Sequence, residues 1–206
     1  MMRITLSDTG KRFNRDWIFR HLTYEFLAGY SYAITGPNGS GKSTLLQILC
    51  GSMEPSEGTI AWENKGTVID ADHIFKNLSI AAPYLEVIEE FTAVEFLKFH
   101  HHFKRLLPDI SVEEIIKLIG LEKAVNKQIR YYSSGMKQRI KLAQAIFSDV
   151  PLLLLDEPCT NLDAGGYELY HRLINDYAKG KTIIVSSNDV NEYSFCEEVI
   201  GIGEYK

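Results

Sequence analysis

The chain has 206 residues, 45% of them hydrophobic and 24% charged, with a formal net charge of −5. That composition excludes wholesale disorder, and the acidic balance argues against a general nucleic-acid binder. Its three cysteines, Cys50, Cys159 and Cys196, are far apart and form no C-x-x-C, which excludes a disulfide frame or a cysteine zinc site.

In chain order, residues 3–35 read as short strands. LTYEF sets Leu22, Tyr24 and Phe26 against Thr23 and Glu25, the alternation of a half-buried strand. Ala28-Gly29 is a turn, and YSYAIT is a buried strand running into Gly36. STLLQILCG is then expected to be helical and to stop at Gly51, and EPSEG, Glu54–Gly58, to be a turn. Thr92-x-x-Glu95 and Ser111-x-x-Glu114 are capping-box patterns. They open the runs AVEFLKFHHHF and VEEIIKLIGLEKAV, so Tyr84 to about Arg130 is expected to be a mostly helical subdomain. A helix from Gly135 would place Met136, Ile140, Ala143 and Phe147 on one face. VPLLLL and KTIIVSS are buried strands, and strand–helix alternation predicts a doubly wound, mostly parallel α/β core. No apolar run approaches the ~20 residues that span a bilayer, and the polar start MMRITLSDTGKRF is not expected to act as a signal peptide.

GPNGSGKST fits G-x-x-x-x-G-K-[ST] between a strand and a helix. Its residues are Gly36, Pro37, Asn38, Gly39, Ser40, Gly41, Lys42, Ser43 and Thr44. Glycines there let backbone N–H groups turn toward a polyphosphate, and the following helix faces it with about half a positive charge. Lys42 would reach the β- and γ-phosphates, and the Ser43 hydroxyl would ligate Mg²⁺. LLLLDEP sets Asp156 and Glu157 just past a buried strand. Asp156 would join the magnesium shell, and Glu157 would polarise the attacking water.

A second serine–glycine stretch, YSSGMKQR at Tyr132–Arg139, lies one helix upstream of LLLLDEP. Taken together, the chain resembles the ATP-binding subunit of an ABC transporter, of the small bacterial type, over nearly its whole length. GPNGSGKST stands in the place of Walker A, YSSGM in that of the LSGGQ signature and LLLLDEP in that of Walker B. NLD, Asn161–Asp163, stands in the place of the D-loop. The resemblance implies a single ATP-binding domain over residues 1–206, a P-loop core with a small N-terminal antiparallel β subdomain and the inserted helical part near 84–130. It implies ATP and Mg²⁺ as cofactors, and a head-to-tail dimer, of like or unlike subunits. In that dimer Ser133 and Gly135 of one copy would close on the ATP of the other. It also implies a separately encoded integral membrane partner, a cytoplasmic location at the inner face of the cell membrane, and no nucleic acid. A groove beside Tyr84 would receive a short helix of that partner, and Phe13 would stack on adenine, with Trp17 as its competitor.

Two positions depart from the family. The glutamine that usually joins core and helical part falls on Tyr84, and the switch histidine on Asn188. Tyrosine cannot copy an amide, and asparagine can donate to a γ-phosphate but carries no charge. Slow hydrolysis is therefore expected. The alternative is an ATP-gated dimerising switch with little turnover. His100, His101 and His102 point about 100° apart on a helix and are not expected to share a metal.

Overall fold

The computed structural model describes residues 2–206, as two compact units. The first unit is drawn from the stretches up to Leu78, Val150–Glu157 and Gly180–Lys206. Its antiparallel sheet begins with β1 (Met2–Phe13) and β2 (Asp16–Phe26), longer than the short strands expected. They bulge rather than break: Asp8 and His21 both take positive φ, and the register shifts beside them. The alternation in LTYEF holds, with Leu22 and Phe26 buried and Thr23 and Glu25 exposed. β4 (Glu57–Asn64) and β5 (Thr67–Ile69) complete the order β2-β1-β4-β5. Glu57 and Gly58 thus belong to a strand, not to the expected turn, because Glu57 pairs with Gly10 in the β1–β4 ladder; its carboxylate is also gripped by Arg20 through Nε and Nη2, at 2.8 and 2.9 Å.

The parallel sheet of this unit runs β7 (Leu152–Asp156), β8 (Thr182–Ser186), β3 (Ser31–Thr35) and β9 (Glu198–Gly201) in spatial order. β7 and β8 are buried at every residue, as a sheet covered on both faces requires. α1 (Lys42–Leu49) follows β3 and stops at Gly51. Trp62 Nε1 donates to Leu49 O at 2.9 Å, tying the end of α1 to β4. The short α6 (Val190–Tyr193) precedes β9.

The second unit takes residues 79–149 and 158–179, and β6 (Leu78–Ala81) leads into it. Its helices are α2 (Ala93–Phe103), α3 (Val112–Leu118), α4 (Ser134–Ile146) and α5 (Ala164–Tyr177). Both capping boxes are present, with Thr92 and Ser111 each exchanging bonds with the glutamate three residues on. The run after Ser111 is shorter than expected. α3 ends at Leu118 because Gly120 turns left-handed (φ 69°), Gly120 N–H bonding Lys117 O and Leu121 N–H bonding Ile116 O. Nor is Tyr84–Phe91 helical. It is a turn-rich segment, tied by Ile129 N–H to Phe91 O and Arg130 N–H to Glu89 O. α4 buries Ile140 and Ala143 and ends on buried Phe147, whose ring lies 4.7 Å from that of Tyr177.

Candidate nucleotide site

In the first unit the glycine-rich segment leaves β3 and feeds α1. Ile18, Asn38, Gly39, Gly41, Lys42, Ser43, Thr44 and Glu157 line one cavity of about 220 Å³. Gly41 has φ 105°, and a Cβ there would come within 2.3 Å of Ile18 Cγ2, so glycine is required twice over. Lys42 is buried and its ammonium is folded onto the loop, 2.8 Å from Gly36 O and 3.4 Å from Pro37 O. Ser43 is exposed at the mouth of the loop. Glu157 takes a left-handed backbone (φ 42°), held by its N–H on Ser186 O at 2.9 Å. A non-glycine residue in that region is a strained feature that clusters at functional sites.

Asp156 is 2% exposed and its Oδ1 has no hydrogen-bond partner; the same is true of Ser40 Oγ and Ser186 Oγ among the described residues. An orphaned buried carboxylate oxygen, one residue before the Glu157 that shares a cavity with Ser43, offers the hard oxygen chemistry that suits a small divalent cation such as Mg²⁺. Asn188 lies at the end of the β8 ladder. Its Oδ1 accepts from Gly36 N–H at 3.1 Å, and its Nδ2 donates to Asn38 Oδ1 at 3.2 Å.

Phe13 is 47% exposed at the end of β1, with Lys11 Nζ 5.5 Å from its ring centroid. Trp17 is already engaged by two guanidinium groups, Arg12 at 5.4 Å and Arg20 at 4.1 Å. Neither ring is on the cavity wall. Ile18 is, and the sequence reading missed it; its one signal was its place in the run WIF that opens β2.

In the second unit, Ser133 caps α4, its Oγ accepting from Met136 N–H at 3.3 Å. That leaves the hydroxyl proton free to donate outward. Ser133, Gly135, Arg139, Asn161 and Asp163 share a cavity of about 310 Å³, and Arg139 lies 3.7 Å from Asp163. Buried Gln138 donates to Pro158 O at 2.7 Å, fastening α4 to the segment that follows Glu157. Tyr84 is exposed in a turn. Beside it, Pro83, Val87, Lys137 and Lys141 border a groove of about 390 Å³. Lys137 bonds Glu89 there and holds that carboxyl below its ordinary range. The three histidines engage three separate partners: His100 with Ser148 Oγ, His101 with Leu106 N–H and His102 with Lys98 O.

A phosphate-type loop between a parallel strand and a helix, an acidic pair at the end of a buried strand and a capped serine–glycine helix define an ATP-binding cassette. The ABC transporter profile matches residues 19–160, and the chain belongs to that family. It is 32% identical over 190 residues to an uncharacterized ABC transporter ATP-binding protein of Bacillus subtilis, YybJ, covering 91% of this chain and 86% of that one. It is 30% identical over 191 residues to the cytochrome c biogenesis ATP-binding export protein CcmA of Rhizobium etli, covering 91% and 88%. Among solved structures it resembles a putative ABC transporter ATP-binding protein from Pyrococcus furiosus, with TM-score 0.81, 19% identity and 99% of each chain covered. A dimeric ATP-binding cassette bound to ADP and Pi matches with TM-score 0.80 at 24% identity, covering 97% and 95%. The mixed α/β fold is that of the P-loop ABC ATPases. No helix among the described residues is long and apolar enough to cross a membrane.

Proposed function

We propose that this chain binds ATP with Mg²⁺, hydrolyses it slowly, and thereby powers transport by a separately encoded integral membrane protein. The observation that carries this reading is the shared cavity of Lys42, Ser43, Thr44 and Glu157, with the buried, unpartnered Oδ1 of Asp156 preceding Glu157. Lys42 would exchange its loop carbonyls for phosphate oxygens. Ser43 and Asp156 would hold the magnesium ion, which when bound neutralises phosphate charge. Glu157 would orient and polarise the attacking water.

Turnover would require two copies head to tail. Ser133 O–H, Gly135 N–H and the N-terminal end of α4 would meet the terminal phosphate held by the other copy's loop. Contact with that phosphate makes closure depend on ATP rather than ADP, which converts hydrolysis into motion. Residues 1–206 would act as one ATP-binding domain at the inner face of the membrane. The groove bordered by Pro83 and Val87 would receive the membrane partner. The more exposed Phe13 is the adenine-stacking candidate, since the Arg20 guanidinium lies closely over the Trp17 ring.

Steady-state phosphate release from the purified chain tests the reading, with Glu157→Gln as the control. The expected result is slow release in the native chain and a further fall of about 10²-fold or more in the variant. Equal rates would remove Glu157 from its role. ATP-driven dimers with no measurable release from the native chain would instead favour the dimerising switch, in which Tyr84 and Asn188 have removed turnover.

A further inference from the structure

We propose that Asn188 is a positioning residue for the phosphate loop, clamping Gly36 and Asn38 so that it supports di- and triphosphate binding alike; this deepens the ATP-binding reading and rests on it. The position is set by the sheet. β8 pairs with β3 at Ile34↔Ser186, and Ser187 N–H donates to Ile34 O at 3.1 Å, one step past the strand. The residues that follow the two strands are therefore brought side by side, 188 next to 36. There the carboxamide accepts from Gly36 N–H and donates to Asn38 Oδ1, at 3.1 and 3.2 Å.

A side-chain amide is suited to that task because one end accepts while the other donates, at every pH. The clamp matters because of what Lys42 must do. Gly36 O is now held by Lys42 Nζ at 2.8 Å. When a phosphate draws the ammonium away, that bond is lost and the Asn188 bond to Gly36 N–H is the one that stays. Asn188 thus acts on the front of the loop, not on the terminal phosphate. Its effect falls on ADP as much as on ATP.

The test is calorimetric titration of the full chain with ADP and with ATP, magnesium present. Asn188→Ala is expected to weaken both by the same factor, about five- to tenfold. Asn38→Ala, at an exposed residue, is expected to weaken both by less, and to add nothing in the Asn188→Ala background. Asn188→Gln keeps both the acceptor and the donor and adds no charge, so it is expected to recover part of the lost affinity for both nucleotides, to the same extent for each. Loss of ATP affinity alone, with ADP unchanged, would overturn the proposal and make Asn188 a terminal-phosphate contact. Native affinities in both alanine variants would also overturn it. If the native chain bound neither nucleotide, the ATP-binding reading would fall first and this one with it.

Discussion

Asp156 and Ser186 stand opposite each other in the β7–β8 register, and each carries a buried oxygen with no hydrogen-bond partner among the described residues. Register partners on neighbouring strands face the same side of the sheet, so the two oxygens share one buried patch. An unpaired buried polar group costs about 1–3 kcal/mol, more when charged. A bound cation offsets that cost only if it reaches Asp156.

The first prediction follows from that strain. Asp156→Asn removes the buried charge, so without nucleotide or metal the variant is expected to melt no lower than the native chain. Adding magnesium with ADP should raise the native melting temperature and leave the variant's gain markedly smaller. A variant that gains as much as the native chain would take Asp156 out of the metal shell.

A second prediction concerns Gly135. A Cβ there would lie 3.0 Å from Asn161 O, a backbone atom that cannot swing aside. Gly135→Ala should therefore displace the start of α4 from the Asn161–Asp163 segment by a few tenths of an ångström. Combined with Glu157→Gln, it is expected to block ATP-dependent dimers in light scattering while the isolated chain still binds ATP. Dimers of undiminished population would mean that α4's start does not close on the other copy's nucleotide.

The caps allow a third. Thr92 and Ser111 each satisfy a helix N-terminus and are bonded back by Glu95 and Glu114. Replacing either by alanine should cost ~1 kcal/mol, seen as a melting temperature about 2–4 °C lower in a chain of this size. Nucleotide affinity should not change, since neither residue lines the cavity around Lys42.

What was legible in the sequence was what local chemistry dictates. GPNGSGKST, the two capping boxes and the Gly51 stop each depend on residues a few positions apart in one stretch of chain, and the structure places the first between a strand and a helix and forms the other two as their patterns require. The strands β4, β5 and β6 went unread because their pairing depends on partners far along the chain and their alternation is weak. Gly120 ended α3 early for a local reason that the apolar run through IGLEKAV obscured. Ile18 and Asn188 make the sharper contrast. The run WIF marks Ile18 as strand, but nothing in it marks Ile18 as the wall of a phosphate loop. The hold of Asn188 on Gly36 exists only because β3 and β8 are parallel and in that register.

The last prediction is a pH dependence seated in the second unit. His100 Nε2 lies 2.9 Å from Ser148 Oγ, and Ser148 spends its own proton on Gln144 O at 2.7 Å. The Ser148 oxygen therefore accepts, and His100 carries its proton on Nε2 with Nδ1 bare. Burial, helped by Lys104 and His101, pushes the imidazole down from 6.5 to about 4. Between those values the unfolded chain takes up a proton that the folded chain refuses, so stability rises with pH there. The contribution is fully present above about pH 6.5 and is lost progressively as pH falls toward 4. Urea midpoints measured at pH 7.5 and at pH 5 should fall in the native chain. In His100→Gln, which has no group titrating at that position, the fall should be smaller, and an equal fall in both chains would assign the acid sensitivity elsewhere.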